Sequence, residues 1–183
     1  MKLFGIALAL ACSTASAAKA DWEYTKWGMT PAQVASAAKN LTKKSSDLHP
    51  DSDGNVTKLV MPYKKGKFSF EAQFAFDAAD KLSSVTLVLN DPSAVSADMD
   101  AEGEMNMPMG AGMAMPVNHG PCHDLGVSVK KSYGHRQGGG AAHMQYSIET
   151  WQDQKNKNNV KYTVLSRAGC YVQYSAIKPA GTH

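Results

Sequence analysis

Between residues 68 and 77 the chain reads FSFEAQFAFD, placing Phe68, Phe70, Ala72, Phe74 and Phe76 on one side and Ser69, Glu71, Gln73 and Asp77 on the other. This period of two marks a half-buried strand, because successive side chains leave opposite faces. Val85, Leu87 and Leu89 of LSSVTLVLN keep the same phase, and VTKLVMPY supplies another strand ahead of the KKGK turn. Pro62 in that strand has no amide donor, which predicts an edge position. Upstream, WGMTPAQVASAAKN (residues 27–40) switches to helical spacing, with Val34, Ala37, Ala38 and Leu41 on one face. Its start is marked by Thr30 as cap, Pro31 in the first helical position, Gln33 closing a capping box and Met29 placed to staple onto Val34.

The same order of elements returns near the C-terminus. GPCHDLGVSVKKSYG has Pro121 near its start, Gly134 as a stop and Cys122, Leu125, Val129 and Tyr133 along one stripe. Gly126 weakens that helix by about 1 kcal/mol against alanine. HMQYSIETWQ, VKYTVLS and CYVQYSAI follow as strands, separated by DQKNKNN and RAG. The expected fold is therefore α+β: two consecutive α-β-β-β units with helices packed on antiparallel sheet, side by side or as one continuous sheet. The units span residues 21–90 and 121–183, with residues 91–120 as an insert between them. They match in element order and hardly at all in residue identity, so duplication stays a hypothesis.

Residues 1–20 change the compartment. Lys2 precedes an apolar run from Leu3 to Ala11, and small residues follow at Ala15, Ala17, Ala18 and Ala20, the layout of a secretory signal peptide. A run of that length falls short of the roughly 20 residues of a membrane-spanning helix, so no transmembrane anchor is expected. Cleavage after Ala17 or Ala20 fits the small-residue rule, and the site before Asp21 is favoured. LALAC at Cys12 gives the alternative of a lipoprotein at the outer membrane. Either route exports the chain, and the bacterial periplasm is the expected location.

Loss of residues 1–20 removes Lys2 and Lys19, leaving 17 basic and 16 acidic residues. That balance, with no basic stripe carrying aromatics, predicts no nucleic-acid partner. Two cysteines remain, Cys122 and Cys170, and an even pair in an oxidising compartment predicts a disulfide. Cys170 shares a strand face with Val172, Tyr174 and Ala176, and Cys122 lies on the apolar stripe of the second helix, so both sulfurs point into one layer. The competing role for Cys122 is a metal thiolate beside His119 and His123.

WGMTPAQV resembles the helix start of small bacterial envelope domains of the SmpA/OmlA lipoprotein type and of β-lactamase-inhibitor-protein-like folds. The tryptophan ahead of it, and the later cysteines on a helix and a strand, also resemble exported proteobacterial proteins with a W-G-M-T-x-x-x-V start. The motif covers residues 27–34, and Asn40, Leu41 and Thr42 stand where the lipoprotein pattern has glycine and proline. The resemblance implies a non-catalytic module that binds another envelope protein.

The insert holds Asp98, Asp100, Glu102 and Glu104, then Met105, Met107, Met109, Met113 and Met115 among Gly, Ala and Pro. Segments of this length without periodicity are uncommon in compact proteins and are often functional or disordered. Thioethers select Cu(I) and need no deprotonation, so the five methionines form a candidate Cu(I) or Ag(I) site that His119, His123, His135 or His143 could complete. The other reading is an adaptable linker or covering loop. DSDGN (residues 51–55) resembles the start of a calcium loop, but its glycine falls fourth instead of sixth and Pro62 takes the place of the closing glutamate, which leaves a polar turn. No H-E-x-x-H, G-x-S-x-G or phosphate-binding glycine loop occurs, and no paired carboxylates stand out. The chain is expected to be no enzyme and to act as an exported binding or interaction module, with copper binding as the alternative.

Overall fold

The last strand of each half is rich in buried apolar positions, and these two strands meet at the centre of the sheet. The computed structural model describes residues 22–92, 120–134, 141–143, 146–165 and 169–177. Its elements are α1 (Pro31–Ala37), β1 (Lys43–Lys44), β2 (Val56–Lys65), β3 (Phe68–Phe76), β4 (Leu82–Leu89), α2 (Pro121–Tyr133), β5 (Ala141–His143), β6 (Tyr146–Asp153), β7 (Asn158–Leu165) and β8 (Gly169–Ala176). The strands form one eight-stranded sheet in the order β1-β2-β3-β4-β8-β7-β6-β5. Every neighbouring pair is antiparallel. The seam between the halves is β4 against β8, with Ser84 opposite Ser175 and Leu87 opposite Val172. The short strands β1 and β5 form the outer edges, a common way of blunting an exposed ladder.

The α+β expectation of two helix-on-sheet units is thereby corrected to a mainly-β fold. Only two short helices occur among the described residues, and they are too small to form a layer over eight strands. Of α1 only Val34 is buried within the helix, and α2 buries Leu125, Gly126 and Val129. Ahead of α1, an aromatic segment does much of the covering. Trp22 packs on Tyr63, Phe74 and Tyr174 at ring separations of 5.3, 5.7 and 6.4 Å. The Trp27 indole donates to Asn158 Oδ1 at 3.0 Å. Both tryptophans reach from the first half onto strands of the second, so one hydrophobic core spans the seam.

Registers fix which side of the sheet that core occupies. Leu59, Phe74, Val85, Tyr174, Val160 and Trp151 lie in one cross-strand row. Met61, Ala72, Leu87, Val172, Tyr162 and Glu149 form the next. All but Glu149 are buried, and burying a large apolar side chain contributes about 2 kcal/mol.

The start of α1 carries the expected capping box, with Thr30 N–H on Gln33 Oε1 at 2.9 Å and Gln33 N–H on Thr30 Oγ1 at 3.4 Å. Its end differs from the periodicity. Lys39 and Asn40 take positive φ of 53° and 58°, and the Asn40 N–H closes back on Ala35 O. That left-handed turn sends Leu41 into solvent, 63% exposed, instead of onto the apolar face. Pro62 lies beyond the two residues of β2 that β1 pairs, Leu59 and Val60, so its missing donor faces an unpaired edge. Gly126 lets α2 approach the sheet: a Cβ there would lie 3.0 Å from Tyr162 Cε1.

Candidate polar groove on the open sheet face

Opposite the core, the sheet presents a second set of rows. Thr86, Gln173, Lys161 and Thr150 align across β4, β8, β7 and β6, and Ser84, Ser175, Asn159 and Gln152 align beside them. Neither helix nor the tryptophan segment lies on this side, because the apolar residues that would hold them all point the other way. The loop before β2 comes over these rows. The Asp51 carboxylate holds that loop, accepting from the backbone N–H of Asp53 and of Asn55, each at 2.9 Å. This is an Asx turn, and it consumes the carboxylate that a calcium loop would need. Asp53 is left facing the strands.

The result is a groove in two adjoining parts of about 560 and 320 Å³. Both parts are lined by Asp53, Gln152, Asn159, Gln173 and Ser175; Thr150 and Lys161 line the larger, and Asn55, Ser83 and Ser84 the smaller. Asn159 Nδ2 donates to Ala176 O at 3.1 Å, leaving Oδ1 as an acceptor. Gln152 Oε1 accepts from Gln154 at 3.0 Å, leaving its amide N–H groups as donors. Among the described residues, the side chains of Asp53, Thr150, Lys161, Gln173 and Ser175 make no hydrogen bond or ion pair. Ser84 Oγ, on a residue only 4% exposed, also has no partner. A buried hydroxyl is normally satisfied. Chemically, the groove offers donors and acceptors with one anion and one cation, and no histidine or thiol.

Tyrosines cluster on the covered face. Tyr63 donates to Glu23 Oε1 at 2.6 Å, and the Tyr133 and Tyr174 hydroxyls lie 3.4 Å apart. Burial, reinforced for Tyr63 by the hydrogen bond to Glu23, pushes the Tyr63 and Tyr174 phenols well above the ordinary tyrosine range. They therefore stay protonated at neutral pH and serve packing.

Of the residues singled out in the sequence, Cys122 and Cys170 are joined in a disulfide with a Cα–Cα separation of 5.7 Å. Cys122 therefore offers no thiolate to a metal. His123 lies exposed in the first turn of α2. Met105, Met107, Met109, Met113, Met115 and His119 lie outside the described residues, as do the signal segment 1–20, Cys12 and His135. Among the described residues no cluster of three or more His, Cys, Asp or Glu is placed to hold a metal, and no helix is long and apolar enough to cross a membrane. The groove residues were missed because outward-facing strand positions read as plain solvent surface. The usable signal was composition: Thr150, Gln152, Asn159, Gln173 and Ser175 are uncharged, where a solvated face more often carries Lys and Glu. No family model, curated protein or solved structure matches the chain, so the likeness noted for residues 27–34 stands on that helix start alone.

Proposed function

We propose that the protein is an exported, non-catalytic binding module of the bacterial envelope, and that its ligand sits in the polar groove. The observation that carries this reading is the asymmetry of the sheet. One face is filled by a continuous core, while the other holds a groove in which the side chains of Asp53, Thr150, Lys161, Gln173 and Ser175 have no partner among the described residues. Side chains ordered on strands but unsatisfied by the protein are suited to recognition. Export rests on the first twenty residues.

The test is a nuclear magnetic resonance titration of the ¹⁵N-labelled exported chain with peptide, glycan and protein fractions of a bacterial envelope. Shifts confined to Thr150, Gln152, Asn159, Gln173 and Ser175, and lost in Gln173→Trp, are expected. Shifts on α1 and α2 instead, or none with any fraction, overturn the groove as the binding surface. Intact mass of the periplasmic protein tests export, with a chain beginning at Asp21 expected and an uncleaved cytoplasmic chain contradicting it. A second reading, Cu(I) binding, rests on the spacing of Met105, Met107, Met109, Met113 and Met115.

A further inference from the structure

We propose that the groove takes a short peptide with both ends free, its α-ammonium near Asp53 and its α-carboxylate near Lys161. This rests on the groove being the binding surface and adds the ligand's chemical class. Asp53 and Lys161 line the same cavity, carry opposite charges and, among the described residues, have no side-chain partner. A ligand complementary to the groove therefore carries one cation and one anion, held apart. The same cavity is lined by Gln152, Asn159 and Gln173, whose amides both donate and accept, as a peptide group requires of its surroundings. In the smaller part of the groove, Ser84 Oγ adds a buried hydroxyl with no partner among the described residues.

Competing chemistries fit less well. A single lysine opposed by an aspartate does not suit a phosphate-rich polymer. Sugars favour an exposed ring to stack on, and the one aromatic residue lining the groove, Trp151, is 2% exposed with its indole N–H donated to Gly134 O. About 560 Å³ lies within the range of small-ligand sites, roughly 300–1,000 Å³.

The experiment titrates the ¹⁵N-labelled exported protein at neutral pH with tri-alanine, with its N-acetylated and C-amidated forms, and with chitotriose. Saturable shifts at Gln152, Asn159 and Gln173 are expected for tri-alanine, and blocking either end should weaken binding about fivefold, the scale of a partly exposed ion pair. Lys161→Met should bind free and C-amidated tri-alanine alike while still discriminating against the N-acetylated form, and Asp53→Asn should do the reverse. Both residues are partly or fully exposed, so these variants fold, and the readout is a ratio of affinities. Blocked peptides binding as tightly as tri-alanine, or groove shifts from chitotriose alone, overturn the peptide assignment and leave the groove as a binding surface. No shift from tri-alanine also overturns the assignment, and the envelope-fraction titration then decides the groove separately.

Discussion

Replacing both cysteines by alanine removes the only covalent tie between α2 and its sheet among the described residues. Cys122 and Cys170 are 48 residues apart, and closing a loop of that length removes about 4 kcal/mol of chain entropy from the unfolded state at 25 °C. Alanine at the buried Cys170 leaves a small void that adds to the loss. The other contacts that hold α2 are noncovalent: Leu125 and Val129 are buried, Tyr133 packs on Trp151 and meets the Tyr174 hydroxyl, the Tyr162 hydroxyl donates to Cys122 O, and Asp124 and Lys130 pair with Lys67 and Glu149. Equilibrium urea denaturation of Cys122→Ala/Cys170→Ala should show about 4 kcal/mol less stability than the oxidised protein and a larger m-value, because the unfolded chain is no longer cross-linked. For a chain of this size the loss corresponds to a fall in Tm of about 8–16 °C. Hydrogen exchange should show α2 opening before the central strands. A loss under about 1 kcal/mol, or unchanged protection of α2, would refute this reasoning.

Gly126→Ala should destabilise by about 1 kcal/mol, because crowding against Tyr162 outweighs the gain in helix propensity; a stabilised variant in urea melts contradicts the close approach of α2. Tyr63 and Tyr174 have phenols raised chiefly by burial, so the unfolded chain loses protons near pH 10 while the folded one keeps them. Stability should therefore be fully present below about pH 10 and fall above it, and ultraviolet titration should show these phenolates appearing only with alkaline unfolding. Changing Met105, Met107, Met109, Met113 and Met115 to leucine should abolish competition with a Cu(I) chelator if the methionines bind the ion; equal competition by both proteins removes that reading.

Local signals were legible in the residues and longer-range ones were not. Thr30, Pro31 and Gln33 announced the start of α1 because a capping box is satisfied within four residues, and the alternation of FSFEAQFAFD marked β3 because pleat and burial share a period of two. The phases of Cys122 and Cys170 pointed to one layer because each followed from its own element. Leu41 misled because periodicity carries no information about the left-handed turn at Lys39 and Asn40. Fold class misled because hydrophobic stripes on α1 and α2 say that a helix buries a face, not how much of a sheet it covers. The groove was invisible for a related reason. It depends on β8 pairing with β4, which brings Asp53 of the first half over Gln152, Asn159 and Gln173 of the second, and no local pattern encodes that seam.

The β4–β8 pairing is accordingly the most direct target. Interstrand nuclear Overhauser contacts in a uniformly labelled sample should link Ser84 with Ser175, Leu87 with Val172 and Val88 with Tyr171 in an antiparallel register. Contacts placing β8 against any other strand, or two halves with no contacts between β4 and β8, would dismantle both the single sheet and the groove built on it.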